Sequence, residues 1–317
     1  MKDRHFEMIE TNGVTLRTVV EGGGPLVVLL HGFPQCWYLW RHQIDPIVAA
    51  GYRVAVPDQR GYGASSCPPA VEDYDIRALT ADVAGLARAL GHDDCIVIGH
   101  DWGCLVAWNT ALLHPQVCRA VMGLAVPMWR ASPAVIDPPG MDDRFWYIRY
   151  FQQPGVAEAE LEANLERALK NIYVAISADS PRGTFMRQLE HPASSGALDV
   201  FPEVDTLPAW LTRADLDYYL AQYRQSGFRG PINWYRNFMR NADITPENAR
   251  FTQPAAFVAG AEDDVLLFDP GWRERFPKAF DDLRFIELIE GAGHWVQLEK
   301  PAETTAQILR FLAEVDG

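Results

Sequence analysis

The segment "CIVIGHDWGCLVAW" (95–108) places an acidic residue inside the turn that joins a strand to a helix. Its apolar beginning is typical of a strand buried on both faces, and its apolar end is compatible with a helix. Gly99 and Gly103 bracket the turn, because a Cβ atom at either position would collide with neighbouring backbone. The segment therefore predicts a buried strand that leads directly into a helix, with Asp101 at the point where the strand ends.

Other short apolar runs repeat this pattern and alternate with segments of helical periodicity. These runs are "PLVVLLHGFP" (25–34), "YRVAVPDQRGYG" (52–63), "CRAVMGLAVP" (118–127), "AAFVAGAEDD" (255–264) and "LRFIELIEGAGHW" (283–295). Such an alternation indicates an α/β protein with a parallel sheet covered by helices on both sides. Ligands bind such sheets at the carboxyl ends of the strands. We therefore look for a site in the loops after Leu30, Ile98, Gly260 and Ile289.

Residues 128–245 break this rhythm. They are rich in aromatic residues, proline and charge, they include a segment with helical character at 155–177, and they contain no buried-strand run. We interpret them as a helical cap, or lid, inserted into one α/β core. The predicted core then consists of residues 1–127 and 246–317.

Composition narrows the classes of partner. Hydrophobic residues make up 48% of the chain and charged residues 22%, as in ordinary folded proteins. A formal net charge of −14 repels nucleic-acid phosphate and anionic lipid, so neither is an expected partner. The five cysteines form no C-x-x-C pair, which favours reduced thiols over a disulfide framework or a zinc site. With no signal-peptide pattern and no apolar run near the roughly 18 residues of a membrane span, a cytoplasmic location is expected.

The order of residues 99–103 has the form small–x–nucleophile–x–small. This is the pattern of the nucleophile elbow of α/β-hydrolases, a strained strand-to-helix turn that exposes the reactive side chain. Serine is the usual nucleophile, whereas this chain has Asp101. The alternative is that Asp101 only caps the N-terminus of the helix that follows. Its partners elsewhere in the chain favour the catalytic interpretation.

A carboxylate nucleophile needs a base for the second half of its reaction, and that base needs an orienting acid. His294 follows a late strand in the glycine-rich loop "EGAGHW" and is the candidate base. The segment "AGAEDDV" offers the acid. Asp263 lies three residues past Gly260 and is the choice, with Asp264 as the alternative. The chain order of nucleophile, acid and histidine matches that of the fold.

An oxyanion hole requires two backbone N–H groups that converge on one point. The amide of the residue after the nucleophile, Trp102, is one candidate. The loop "HGFP" follows a buried strand, and the amide of Phe33 in this loop is the other. Gly32 permits the tight turn that would bring this amide to the elbow.

The segment "DQRGYG" (58–63) follows another buried strand and is expected to organise a loop beside the site. Asp58 and Arg60 carry opposite charges and are candidates for an ion pair. We assign no catalytic role to either residue. His31 and His100, which adjoin the site motifs, are also expected to be architectural.

With these motifs taken together, the chain resembles the epoxide hydrolases of the α/β-hydrolase superfamily over nearly its whole length. The cap segments "YFQQPGVAEAELE" (150–162) and "SGFRGPINWYRN" (226–237) are similar to the C-terminal catalytic domain of soluble epoxide hydrolases. The resemblance implies an α/β-hydrolase fold with a mostly parallel eight-stranded sheet flanked by helices. It also implies hydrolysis of epoxides to vicinal diols with no metal and no organic cofactor. The implied partners are a small, neutral, hydrophobic epoxide and water. The sequence leaves the oligomeric state open between a monomer and a homodimer.

The family uses two cap tyrosines to hold the epoxide oxygen. The resemblance places them at Tyr235 in "NWYRN" and at Tyr147 in "FWYIRYFQ", where the chain departs from the vertebrate pattern and Tyr150 is the alternative. Asp101 would attack the epoxide carbon to form an ester, and water activated by His294 would hydrolyse it. The candidate walls of the substrate pocket are Trp102, Met128, Trp210, Met239, Leu266 and Trp295.

Two other functions remain open at this point. A haloalkane dehalogenase shares the aspartate nucleophile and often a tryptophan after it, but a departing halide needs N–H donors and no proton. Such enzymes often carry asparagine in the "HG" loop, where this chain has Phe33. A non-catalytic ligand-binding protein on the same fold would be expected to lose a member of the triad, whereas Asp101, Asp263 and His294 are all present.

Overall fold

The structure, a computed structural model, describes residues 4–130 and 132–317. The first three residues of the predicted core and Ala131 of the predicted cap lie outside the described residues. The strands are β1 (Phe6–Thr11), β2 (Val14–Gly22), β3 (Leu26–Leu30), β4 (Arg53–Pro57), β5 (Cys95–His100), β6 (Cys118–Leu124), β7 (Ala255–Gly260) and β8 (Leu283–Ile289). Within the described residues these eight strands form one sheet in the order β1-β2-β4-β3-β5-β6-β7-β8.

The sheet is parallel from β4 to β8, and β2 pairs antiparallel with both β1 and β4. Every residue of the central strands β3, β5 and β7 is buried, as their continuous apolar sequences predict. The edge strand β1 alternates between buried and more exposed residues towards its end, because one of its faces meets solvent. The predicted mostly parallel, eight-stranded α/β-hydrolase sheet is thus confirmed.

Helices flank this sheet and fill the insertion between β6 and β7. They are α1 (Ile44–Ala49), α2 (Ile76–Ala89), α3 (Trp102–Leu113), α4 (Pro133–Ile136), α5 (Tyr147–Tyr150), α6 (Val156–Ala163), α7 (Leu165–Ala175), α8 (Ala197–Val200), α9 (Arg213–Ser226), α10 (Arg229–Arg236), α11 (Phe238–Ile244), α12 (Trp272–Arg275), α13 (Val296–Glu299) and α14 (Pro301–Asp316). Short 3₁₀ helices cover Trp37–Trp40, Val71–Tyr74, Phe185–Glu190, Asp264–Phe268 and Phe276–Ala279. Residues 155–177 form α6 and α7 rather than one continuous helix. Asn164 leaves the helical conformation (φ −131°, ψ 45°) and serves as the boundary residue of both.

The expected ion pair between Asp58 and Arg60 is wrong, because each residue has a partner on a different element. The Asp58 carboxylate accepts a hydrogen bond from Arg17 on β2 at 3.1 Å. Arg60 instead forms two hydrogen bonds of 2.8 and 2.7 Å with the carboxylate of Asp82 on α2. The loop after β4 is therefore anchored to the neighbouring strand β2 and to a flanking helix.

All five cysteines are free, and four of them are buried. Among residues 4–130 and 132–317, no helix has the length and apolarity needed to cross a lipid bilayer. In the same part of the chain, no group of three or more His, Cys, Asp or Glu side chains could hold a metal ion.

Candidate active site

Asp101 lies in the turn between β5 and α3 with φ 55° and ψ −121°. A positive φ is uncommon for a residue other than glycine, so the turn stores backbone strain. The elbow closes because its flanking positions lack side chains. A Cβ atom on Gly99 would lie 2.0 Å from the carbonyl oxygen of Gly103, and one on Gly103 would lie 2.4 Å from that of Leu30. The two glycines thus allow β3, β5 and α3 to meet closely below Asp101.

The Asp101 side chain points to the loop after β3 that contains Phe33 and makes no capping hydrogen bond to the second or third amide of α3, so the capping alternative is wrong. Its Oδ1 atom accepts a hydrogen bond of 2.7 Å from the backbone N–H of Phe33. The backbone N–H of Trp102 also contributes to lowering the pKa of this carboxylate, and its nitrogen lies at the same corner, 2.6 Å from where a Cβ atom on Gly32 would be. Gly32 allows the close approach, since a Cβ atom there would lie 2.2 Å from Oδ1 of Asp101. The two amides predicted for an oxyanion hole therefore converge on the carboxylate.

His294 connects the Asp101 carboxylate with a second acid. Its Nε2 atom lies 3.5 Å from Oδ2 of Asp101, and its Nδ1 atom lies 3.0 Å from Oδ2 of Asp263. His294 and Asp263 are almost fully buried. Asp264 faces away from the imidazole and accepts hydrogen bonds of 2.7 and 2.9 Å from the backbone amides of Gly183 and Phe185 in the insertion. The structure therefore places Asp263, and not its alternative Asp264, on the imidazole of His294.

Charge couples the members of this triad. Burial lowers the pKa of His294, but the negative charges of Asp263 and Asp101 outweigh burial and raise it to about 10. Burial conversely raises the pKa of Asp101, and the hydrogen bond and charge of His294 outweigh this and leave it below its usual value. At neutral pH the resting site therefore holds an ionised Asp101 beside a protonated imidazole.

The two other histidines near the elbow stay neutral. Burial lowers the pKa of His100 to about 3 and that of His31 to about 4. The Nε2–H of His100 donates to the backbone carbonyl of His294 at 2.8 Å, and Nε2 of His31 accepts the N–H of Gln59 at 3.0 Å. Both side chains therefore support loops of the site, in agreement with the architectural role expected for them.

A cavity of about 1020 Å³ opens above Asp101, between the sheet and the inserted helices. Tyr235 on α10 and Tyr147 on α5 line it together with Asp101, and their ring centroids are 5.8 Å apart. Burial, and then the charge of Asp101, raise the pKa of both phenols, so each keeps its proton. The hydroxyl of Tyr150 instead donates to Glu160 at 2.6 Å. The structure thus brings Tyr147, and not Tyr150, to the cavity.

The predicted cavity walls are only partly correct. Trp102, Met128 and Leu266 line the cavity. Trp210 does not, because its indole N–H binds Asp179 at 2.7 Å. Trp295 is also not a wall, since it is fully buried behind His294.

Met239 is the third wall that the structure contradicts, because its side chain is 39% exposed to solvent. Its neighbour Phe238 lines the cavity and stacks on Trp102 with ring centroids 4.9 Å apart. Successive helical residues point about 100° apart, so an error of one residue moves a side chain from the cavity to the surface. Trp129 in the insertion and Phe268 after β7 also line the cavity, and no pattern in the sequence distinguished them from the other aromatic residues of the chain.

Comparison with known proteins supports one family. A protein-family model described as the alpha/beta hydrolase fold matches residues 25–301. The chain is 42% identical to Epoxide hydrolase A of Mycobacterium tuberculosis, over 98% of this chain and 97% of that protein. It is 38% identical to the Bifunctional epoxide hydrolase 2 of Sus scrofa over 97% of this chain, which corresponds to 55% of that longer protein.

Solved structures give the same result. The crystal structure of Epoxide Hydrolase A from Mycobacterium thermoresistibile matches with a TM-score of 0.91 and 46% identity, over 98% of each chain. An epoxide hydrolase from an endophytic Streptomyces matches with a TM-score of 0.94 and 37% identity, over 100% of this chain and 97% of that one. The resemblance inferred from the motifs is confirmed, and the chain belongs to the epoxide hydrolases of the α/β-hydrolase fold.

Proposed function

We propose that this epoxide hydrolase converts epoxides to vicinal diols through a covalent ester on Asp101. The observation that supports the proposal is that the two oxygens of the Asp101 carboxylate have different partners. Oδ1 is held by the amide of Phe33, whereas Oδ2 lies beside His294. Asp101 also borders the cavity that Tyr147 and Tyr235 line. This arrangement leaves one oxygen available for nucleophilic attack and holds the other where a carbonyl oxygen must later be stabilised.

In the first step, Oδ2 of Asp101 attacks an epoxide carbon in line with the C–O bond that breaks. The electron pair of that bond goes to the epoxide oxygen, which would be a poor leaving group as a free alkoxide. Tyr235 and Tyr147 keep their protons in the resting site and can hydrogen-bond this oxygen and protonate it. A positioned acid of this kind typically contributes about 10²–10⁴-fold to the rate.

In the second step, His294 accepts a proton from water while the water oxygen attacks the carbonyl carbon of the ester. The negative charge develops on the oxygen held by the amides of Phe33 and Trp102. Asp263 stabilises the imidazolium that forms. Collapse of the tetrahedral intermediate breaks the bond between Cγ of Asp101 and the oxygen on the former epoxide carbon, and the diol leaves with the proton from His294. The new carboxyl group gives up the second proton of the water, which restores the tyrosine that protonated the epoxide oxygen, and Asp101 is again a carboxylate.

Tyr235 is expected to act mainly in ring opening. The substitution Tyr235→Phe removes the proton donor but keeps the ring that packs on Trp102 and Phe33. We expect ester formation to slow by about 10²-fold, whereas hydrolysis of the ester changes little, because the phenol has no partner in that step. Rapid quenching with mass detection of the ester measures both rates. Equal loss in the two steps would contradict this assignment, and Tyr150→Phe, which removes a hydroxyl bound to Glu160, is the matched control.

The pH dependence of ester hydrolysis is expected to follow His294. Formation of the ester removes the charge of Asp101, one of the charges that raise the pKa of the imidazole to about 10 in the resting site. The imidazole therefore binds its proton less tightly in the ester, and only the neutral form can accept a proton from water. We expect the hydrolysis rate to rise with pH, with an apparent pKa below that of His294 in the free enzyme. Single-turnover rates across neutral and alkaline pH, with histidine titration by NMR, measure both values; a rate that falls with pH would contradict the assignment.

Dehalogenation is disfavoured by the side chain that follows the "HG" turn. The side chain of Phe33 has no N–H group that could bind a halide. Its ring packs against Tyr235, Phe151 and Phe228. Incubation of the protein with styrene oxide and, separately, with 1-bromobutane distinguishes the two activities. Diol from the first without bromide from the second is the expected result. Binding of epoxides without turnover would instead indicate a non-catalytic ligand-binding protein.

Isotope labelling provides the direct test of the ester. In one turnover in oxygen-18 water, the first diol should carry no heavy oxygen, because its new hydroxyl comes from Asp101. The heavy atom should instead enter the carboxylate, and mass analysis of the peptide that contains residue 101 should detect it there. Heavy oxygen in the first diol would show direct attack by water and would refute the mechanism.

The apolar residues around the cavity favour a small, neutral, hydrophobic epoxide; among them are Met128, Trp129, Leu266 and Phe238. We further propose that residues 1–127 and 246–317 act as the catalytic core and that residues 128–245 act as its cap. The placement of Tyr147 and Tyr235 in the insertion supports this division, since ring opening then requires both parts. The free cysteines support the proposal of a cytoplasmic enzyme.

A further inference from the structure

In the loop that carries His294, the backbone N–H groups of residues 291–295 each donate a hydrogen bond. The amides of Gly291 and Ala292 donate to the carboxylate of Glu262 at 3.2 and 3.1 Å. The amide of His294 itself donates to the carbonyl oxygen of Ile176, in the cap, at 2.9 Å. The amides of Gly293 and Trp295, the two residues that flank His294, share another acceptor.

That acceptor is Glu299, at the end of the short helix α13. Its Oε2 atom accepts the N–H of Gly293 at 2.9 Å, and its Oε1 atom accepts the N–H of Trp295 at 2.9 Å. Oε2 also accepts the N–H of Ala178, a cap residue, at 2.8 Å. One carboxylate therefore joins both neighbours of His294 to the inserted helices.

The loop and the cap meet too closely for other contacts to replace this one. A Cβ atom on Gly293 would lie 2.5 Å from the backbone nitrogen of Ala178 and 2.6 Å from the carbonyl carbon of Ser177. Backbone therefore packs on backbone here, and the donors at this contact need an acceptor because burying them unpaired is costly.

We propose that Glu299 is a positioning residue that holds His294 in place for hydrolysis of the ester. This inference rests on the proposed two-step function. A general base must lie within about 2.6–3.2 Å of the atom whose proton it takes, and a displacement of about 1 Å can cost about 10²-fold in rate. Ester formation depends instead on Asp101, Tyr147 and Tyr235, whose backbones Glu299 does not contact. Loss of Glu299 should therefore slow the second step selectively.

Two substitutions at position 299 remove these hydrogen bonds to different extents. In Glu299→Gln, the amide oxygen can replace Oε2 and keep the bonds to Gly293 and Ala178, but the NH₂ group then faces the N–H of Trp295. Glu299→Ala removes all three acceptor contacts. The matched control is Glu160→Gln, because Glu160 also accepts two backbone N–H groups and one O–H group, at 2.9, 3.0 and 2.6 Å, and none of these donors belongs to the His294 loop.

The test is rapid quenching of the full chain with styrene oxide, followed by intact-mass measurement of ester formation and ester decay. We expect ester decay to slow by about tenfold in Glu299→Gln and by about a hundredfold in Glu299→Ala, with accumulation of the ester. Ester formation should match that of the wild type in both variants, and Glu160→Gln should match it in both steps. If Glu299→Ala does not fold, the result for Glu299→Gln decides.

Two results would overturn the inference alone, namely wild-type ester decay in the Glu299 variants, or an equal loss in both steps, which would indicate a general structural role. Absence of any ester in the wild-type protein while diol is formed would overturn the proposed function, and this inference with it. The two failures are therefore distinguishable in a single experiment.

Discussion

Diol formation is expected to fall by about 10⁴-fold or more when Asp101 is replaced by Asn or Ala, as losses of catalytic nucleophiles in other hydrolases indicate. Asn keeps an oxygen that can accept the amide hydrogen bonds of Phe33 and Trp102, but it lacks the anionic oxygen that attacks carbon. Ala removes both functions. If the carboxylate is the nucleophile, the two variants should be equally inactive, whereas a role limited to hydrogen bonding would leave Asn much more active than Ala. Diol formation from styrene oxide measures the effect.

The fold must be shown to survive these substitutions. The elbow requires a positive φ at position 101, which Asn tolerates better than Ala, so the Asn variant is the safer test of chemistry. Circular dichroism and thermal unfolding of both variants provide the control. Substantial diol formation by a folded Asn variant would contradict nucleophilic attack by this side chain.

The elbow could be predicted from sequence because its geometry depends on adjacent residues. Only a turn without side chains at positions 99 and 103 fits between a buried strand and a helix, and the structure shows the resulting contacts directly. The shared location of the loops that carry Phe33 and His294 could also be predicted, because parallel strands bring their carboxyl ends to one edge of the sheet.

Side-chain direction was the part that could not be predicted. Adjacent Asp263 and Asp264 have the same chemistry, and only the folded loop places one on His294 and the other on cap amides. Met239 and Phe238 differ by one position in a short helix, yet one is exposed and the other lines the cavity. Sequence patterns fix such directions only when a helix is long enough to show its period.

Glu299 and Glu262 were missed for a different reason. Their partners are backbone amides, which every residue except proline possesses, so no complementary residue type appears in the sequence. The spacing in "GHWVQLE", where Glu299 follows His294 by five residues, is the only available signal. Sequence motifs therefore located the groups proposed to react with substrate better than the groups that hold them in place.

The proposed mechanism assigns the two half-reactions to different residues, and this assignment gives the second large expected effect. His294 lies beside Asp101, and in the proposed mechanism it is required as a base only after the ester has formed. In His294→Gln, ring opening by Asp101, Tyr147 and Tyr235 should therefore persist. Hydrolysis should slow by about 10³-fold, since Gln cannot accept a proton from water at neutral pH.

The variant should therefore accumulate the ester, visible in the intact mass as an increment of one substrate molecule and, after digestion, on the peptide that contains Asp101. His5→Gln is the control, because the side chain of His5 is 71% exposed and touches none of the site residues. Turnover at the wild-type rate in His294→Gln would show that another group is the base. An increment on a different peptide would refute Asp101 as the nucleophile even if the ester accumulates. A trapped ester on the expected peptide would instead establish the order of the two steps, because the first must run to completion before the imidazole is needed.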